Sequence, residues 1–210
     1  MTDFKKVTLA LAAAGLLSSG AVHAALHDRG DGLIYDDVLN ITWLADANYA
    51  QTSGYDSDGQ MTFVAANTWA AGLSYGGHDN WRLPTALNQD HTGPCRGSPC
   101  TSSEMGHMFY NNLGATRGSS VLSGTNTANL ALFTNLQSDV YWSGTADRPS
   151  SPVYPGWYFV TDGGYQLSYL QFDQEFYAWA VHPGDVAAIP EPETYAMLLV
   201  GLGLLGGVAK

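Results

Sequence analysis

Cys95 and Cys100 are the two cysteines of the 210-residue chain, and they close the short run Pro94-Cys-Arg-Gly-Ser-Pro-Cys100. Two thiols across so small a polar loop predict a disulfide, which contributes on the order of 2 kcal/mol through loop-closure entropy. His91 and His107 flank the pair, so a zinc site is the alternative, although His-x3-Cys-x4-Cys-x6-His matches no common zinc module. A second chemical group consists of carboxylates beside glycines: Asp28 and Asp31 before Gly32, and Asp56 and Asp58 before Gly59. Calcium loops use such oxygens, so these four aspartates are the weak metal candidates and calcium the one structural cofactor they suggest. Neither run completes Asp-x-Asp-x-Asp-Gly with a distal Glu, and tight turns explain both equally.

Catalytic signatures are missing from the sequence: there is no Gly-x-Ser-x-Gly elbow, no His-Glu-x-x-His and no phosphate loop. A carboxylate pair of the glycosidase kind is left open, because the separation of the two groups is a three-dimensional quantity. The expectation is therefore a non-enzymatic protein, with a glycan-active enzyme as the alternative. Aromatic residues are dense toward the end of the chain, where Trp142, Trp157 and Trp179 stand among several tyrosines. Alternation along strands buries about half of such residues, and an exposed half would stack on neutral sugar faces. Arg82, between Trp81 and Leu83, is either a structural guanidinium at the core edge or a ligand contact. His182 is the remaining ligand-binding candidate.

Charge narrows the partners. Setting aside Asp3, Glu191 and Glu193 and the three terminal lysines leaves a central body with five arginines, no lysine and a net charge still at −11. Nucleic acid and other polyanions are excluded by that balance, since their binding depends on clustered cations releasing counterions.

The elements that must position these residues read as mixed. Leu33–Tyr35 and Ile41–Leu44 predict two strands around a turn. A helix is expected from Thr62 as N-cap to about Leu73, ended by Gly76-Gly77, with Phe63, Ala66, Ala70 and Leu73 on one face. A second is expected over about Ser102–Leu113, with Thr101 and Glu104 as a capping box and Gly114 after its end. From Val140 onward four strands follow: Val140–Ser143, Gly156–Thr161, Tyr165–Phe172 and Phe176–Val181, with Asp162-Gly163-Gly164 as a hairpin turn. Residues 88–101 and 118–129 read as loops. The fold class is α+β: a single domain with two early helices packed on an antiparallel sheet.

Both ends read as addresses. Lys5-Lys6, the apolar run Val7–Leu17 and the small residues before Ala24 predict a signal peptide over residues 1–24. That leaves the domain at 25–189 and a tail at 190–210. In the tail, Pro190, Glu191 and Pro192 precede a fifteen-residue apolar stretch, Tyr195–Ala209. As a helix that stretch spans about 22 Å, short of a roughly 30 Å hydrocarbon core.

Pro190-Glu191-Pro192 followed by Glu193-Thr194-Tyr195-Ala196-Met197-Leu198-Leu199 resembles the PEP-CTERM sorting tail, though one Lys210 stands where that family has several arginines. The resemblance implies export in a bacterium with an outer membrane and handling by secretion machinery and an exosortase that recognises Glu191 between its prolines. It further implies transient contact with the inner membrane, then residence at the cell surface or in the extracellular matrix. Gly32–Tyr35, Ile41–Asn48, Trp69–Leu73, Gly77-His-Asp-Asn-Trp-Arg-Leu-Pro-Thr85, Tyr141–Gly144 and Tyr177-Ala-Trp-Ala-Val-His-Pro-Gly184 together resemble the Lcl C-terminal domain family, which is distantly C-type-lectin-like. This implies a lectin-like fold and, with the tail, carbohydrate or matrix binding; a purely structural matrix protein is the bland alternative. His182 stands where that family commonly has Arg, which would make any contact there pH-dependent.

Overall fold

The computed structural model describes residues 26–148, 156–169 and 173–187. The expected signal segment and apolar tail helix, and with them Pro190, Glu191 and Pro192, lie outside the described residues. The described residues open with three antiparallel strands, β1 (Leu26–Asp28), β2 (Leu33–Asp36) and β3 (Ile41–Leu44). Short elements follow: α1 (Tyr49–Thr52), β4 (Gln60–Met61), α2 (Phe63–Ala71), α3 (Glu104–His107), a π-helical turn over Met108–Asn112, a 3-10 turn over Val121–Ser123 and α4 (Thr127–Leu130). Strands β5 (Val140–Ala146), β6 (Gly156–Val160), β7 (Tyr165–Tyr169), β8 (Phe176–Tyr177) and β9 (Val181–Pro183) complete it.

The α+β class holds, but the strands form two sheets instead of one. The first has the order β1-β2-β3-β9 and the second β4-β8-β5-β6-β7. The segment expected as one strand over 176–181 is split between them: Tyr177 pairs parallel with Tyr141, whereas Val181 pairs antiparallel with Trp43. Ala178, Trp179 and Ala180 between these strands are buried, and the Trp179 indole N–H donates to the Leu44 carbonyl at 2.7 Å. A long indole crossing from one sheet to the other is what the aromatic run encodes here, in place of an uninterrupted strand.

The helix at Thr62 forms as its sequence predicts, the Thr62 hydroxyl accepting from the Ala65 N–H at 3.4 Å. It ends earlier, at Gly72, and buries Ala66, Trp69 and Ala70. The second helix departs further from expectation. Ser103, not Thr101, is the N-cap, accepting from the Gly106 N–H at 3.2 Å, so Glu104 begins the helix and no capping box forms. After one α-turn the chain widens, and the Leu113 N–H reaches back five residues to the Met108 carbonyl at 2.9 Å. Gly114 follows with φ +66°. The loop expected over 118–129 contains the 3-10 turn and the start of α4, each started by a polar cap, Ser120 or Asn126.

Cys95 and Cys100 are bonded to each other, which leaves no thiolate for zinc. Their loop covers an edge. Gly97 exchanges two backbone hydrogen bonds with Gln166 of the outer strand β7, at 2.8 and 2.9 Å. Arg96 donates to the Ser168 hydroxyl at 2.7 Å, and the Gln166 amide donates to the Cys95 carbonyl at 2.7 Å. An unpaired strand edge is a template for association, and the loop blunts this one. Replacing both cysteines with serine is expected to lower unfolding free energy by about 2 kcal/mol and to accelerate amide exchange at Gln166. Denaturant titration with hydrogen-exchange mass spectrometry checks both effects.

Candidate functional site

Trp81–Thr85 is the segment on which the two sheets meet. Arg82 exchanges backbone hydrogen bonds with Val181 of β9 at 2.9 and 2.8 Å, and two residues on, the Pro84 carbonyl accepts from Gly144 of β5 at 2.9 Å. Trp81 is buried beside this seam, with its indole N–H donating to the His78 carbonyl at 2.9 Å. Pro84 carries no N–H and holds the segment extended, so it fits where the carbonyls face one sheet and then the other.

The Arg82 side chain reaches Glu104, the first residue of α3, in a bidentate pair with both N···O distances 2.7 Å. The same carboxylate accepts from the Thr85 N–H at 2.7 Å, so three donors converge on it. Planar fork-to-fork geometry of this kind suits Arg specifically, and Lys cannot reproduce it. Glu104 is nearly buried while Arg82 keeps about a third of its side chain in solvent, at 38% exposure. Charge-assisted hydrogen bonds of this sort contribute about 1.5–3 kcal/mol each when buried, and less where one partner is wet.

Two open clefts flank the pair and share Thr85. One, of about 280 Å³, is lined among others by Leu39, Asn88, Gln89, Ser102 and the Glu104 side. The other, of about 250 Å³, is lined by Asn67, Arg82, Leu83, Gly144 and Thr145. Thr85 and Thr145 lie 3.1 Å apart at their hydroxyls, and Thr145 also accepts from the Ala86 N–H at 2.9 Å. The walls combine hydroxyls and amides with the His91 imidazole, the paired Arg82 and Glu104 charges and the apolar Val38, Leu39 and Leu87, and the neutral groups among them can hydrogen-bond a polar ligand.

Of the candidate ligand-binding residues Arg82 alone lines these clefts, and of the zinc candidates His91 lines the first. Trp142 and Trp179 are buried at 2% and 1% exposure and Trp157 at 6%, so none presents a face for a sugar. The burial has a simple cause, cover on both faces of the sheet: Trp142 packs on Phe63 of α2 and on Phe176 with its indole N–H donating to the Met61 carbonyl at 2.7 Å, Trp157 lies under the Arg96 guanidinium of the disulfide loop, and Trp179 packs on Trp43. His182 packs against Trp81 and His78 with ring centroids 5.4 and 5.5 Å away, outside both clefts. Asp56 accepts from the N–H groups of Asp58 and Gly59, Asp58 from Gln60, and Asp28 from Gly30, so these carboxylates close turns. Partial burial works against ionisation of Asp56, yet those N–H donors outweigh it and keep its carboxyl below the ordinary range. Asp31 has φ +49° in the adjoining turn. Among the described residues no three His, Cys, Asp or Glu side chains gather around a common metal position.

A buried polar cluster went unread in the sequence. Asp36, fully buried, accepts from the N–H groups of Val38 and Leu39 and from the Asn112 amide at 2.6 Å. His107 Nδ1 accepts from Asn111 at 2.8 Å, which puts the ring proton of the neutral imidazole on Nε2. That nitrogen and Asn112 Oδ1 are buried with no partner. The π-turn is what makes the cluster, because residues five apart share a face only when the helix widens. Glu104, Thr85 and Thr145 were also missed. The Thr-x-x-Glu spacing from Thr101 suggested a cap, and nothing local indicates that this Glu reaches back to Arg82.

The described body leaves Ala187 directly before the segment with the proline pair, and comparison with known families identifies that segment. Residues 188–210 carry a PEP-CTERM protein-sorting motif. The motif marks an exported protein, sorted to the cell surface through interaction with an exosortase. No curated protein and no solved structure matches the chain. No helix among the described residues is long and apolar enough to cross a membrane.

Two consequences of the site geometry are measurable. Glu104→Gln keeps the shape but removes the charge facing Arg82, and a loss of about 2 kcal/mol is expected in urea unfolding. Burial holds the His107 imidazole below its ordinary range, only partly opposed by the nearby Asp36 charge. A depressed folded-state value means that the unfolded chain binds the proton more tightly. Stability is then complete above about pH 6.5 and falls as the pH drops below it. Thermal unfolding from pH 7.5 to 5 is expected to show this decline, and His107→Gln to flatten it.

Proposed function

We propose that the exported domain binds neutral polysaccharide or a similarly polar, uncharged matrix component in the two clefts beside Arg82 and Glu104, without catalysis. The observation that carries this reading is the pair of clefts meeting at Thr85, each with hydroxyl and amide groups among its lining. Each is smaller than the roughly 300–1,000 Å³ typical of sites for drug-sized ligands, a size that suits single units along a polymer. The surface favours an uncharged partner, because a body at net charge −11 without lysine repels anionic chains. The sorting motif supports placement at the cell surface or in the surrounding matrix, where such polymers occur.

The non-enzymatic part rests on how the central carboxylates are used. Glu104 accepts three hydrogen bonds from Arg82 and Thr85, and Asp36 three from Val38, Leu39 and Asn112. Carboxylates so engaged are poor candidates for proton transfer or nucleophilic attack. The Lcl-type, lectin-like assignment belongs to the same proposal. It is supported by the convergence of the motif segments: Trp81–Thr85 touches both the Ala178–Val181 stretch and the Trp142–Gly144 stretch at one seam.

Isothermal calorimetry of the oxidised chain against neutral and acidic polysaccharides, with calcium and then with chelator, tests the reading. Saturable binding to neutral polymers is expected, with Asn67→Ala and Gln89→Ala each weakening it by roughly threefold to tenfold. Absence of saturable binding by folded protein would favour a structural matrix role, and release of product from the polymer would favour the glycan-active enzyme.

A further inference from the structure

The segment between β9 and the sorting motif is fastened to the domain up to its last described residue. Gly184, with φ +80°, turns the chain back over the outer face of the four-stranded sheet, a conformation that favours glycine. Its N–H donates to the Asn40 carbonyl at 2.8 Å, and its own carbonyl accepts from the Thr42 hydroxyl at 2.8 Å. That hydroxyl in turn accepts from the Val186 N–H at 3.2 Å. Asp185 forms a bidentate pair with Arg29 at 2.8 and 2.7 Å, and His78 Nε2–H donates to the Ala187 carbonyl at 2.7 Å. Residues 184–187 are thus a strap, and it covers Thr42, fully buried in the row His27, Tyr35, Thr42 and His182 on the face away from Trp43.

The sorting motif begins at residue 188, immediately beyond the strap. Seven residues, 188–194, separate Ala187 from the apolar stretch that starts at Tyr195. Fully extended they span at most about 25 Å. A domain held this closely has little freedom to turn away from a bilayer that contains the stretch. The face around the strap also has suitable chemistry. Tyr35 and Tyr75 lie there with His27, His78 and His182, and tyrosine rings favour the boundary between lipid and water. Two of its carboxylates have cationic or imidazole partners, Asp185 with Arg29, whose guanidinium also lies over Tyr35 at 5.1 Å, and Asp37 with His27 at 3.1 Å, while Asp31 and Asp79 are exposed beside Tyr75 and His78.

We propose that the outer face of the four-stranded sheet, at the strap, is the surface the domain turns toward the polar interface of the bilayer while its sorting tail is in the membrane. The proposal is independent of polysaccharide binding, because it rests on the strap and the motif alone.

The described residues include no free cysteine, so Asp79→Cys, beside His78, and Leu122→Cys, at the 3-10 turn next to the five-stranded sheet, each supply a labelling site without reduction of the disulfide. The full chain is labelled at one site with a fluorophore and incorporated through its tail into phosphatidylcholine vesicles carrying a headgroup quencher. Severalfold stronger quenching at position 79 than at position 122 is expected, with the contrast reduced when Asp185→Asn loosens the strap. Equal quenching at the two positions, stronger quenching at 122, or failure of the full chain to enter the vesicles overturns the proposal. Loss of polysaccharide binding alone would leave it standing.

Discussion

The three hydrogen bonds that converge on the Glu104 carboxylate hold this domain in its particular shape. They fix Arg82 and the Thr85 N–H, and so fix the segment whose backbone is bonded to β9 on one side and to β5 on the other. Two sheets that share few direct backbone bonds need such a strut, since they are joined chiefly through the side chains between them. The buried tryptophans complete the same joint. Trp179 is hydrogen-bonded to Leu44 in one sheet and packs with Tyr141 of the other at 6.0 Å between ring centroids, and Trp43 lies 4.7 Å from Trp179. The clefts follow from this joint, for they are the gaps left on either side of the ion pair.

The cations of the domain are largely occupied internally. Arg82 faces Glu104 and Arg29 faces Asp185, while Arg96 lies over Trp157 and Arg117 over Tyr165, each 5.7 Å from the ring centroid. Acidic residues therefore dominate the field outside, which aids solubility and discourages polyanionic partners. An open sheet edge is a template for association with another chain. Here the disulfide loop covers one edge, and the strap before the sorting motif lies over the outer face of the other sheet.

The sequence is informative wherever a signal is local. Leu33–Tyr35 and Ile41–Leu44 pair as their β-rich residues and intervening turn suggest, Thr62 caps its helix, Asp162-Gly163-Gly164 joins β6 to β7, and Cys95 bonds Cys100. The sorting motif is likewise contiguous, so a linear pattern is enough to find it. The aspartate–glycine runs show the limit of such patterns, because a calcium loop and an Asx turn begin with the same residues and differ in whether distant oxygens join them.

What the chain alone determined was composition, address and the short-range elements, all of which depend on residues a few positions apart. Tertiary structure decided that Trp142, Trp157 and Trp179 are core instead of a sugar platform, because burial depends on which face of which sheet a ring meets. It also decided that Glu104 belongs to Arg82, twenty-two residues away, and not to a helix cap, because a carboxylate goes to the strongest converging donors that folding brings to it. The widened turn at Met108–Asn112 has the same origin: Asn112 is drawn to the buried Asp36 across 76 positions of sequence, a pairing with no periodicity to reveal it.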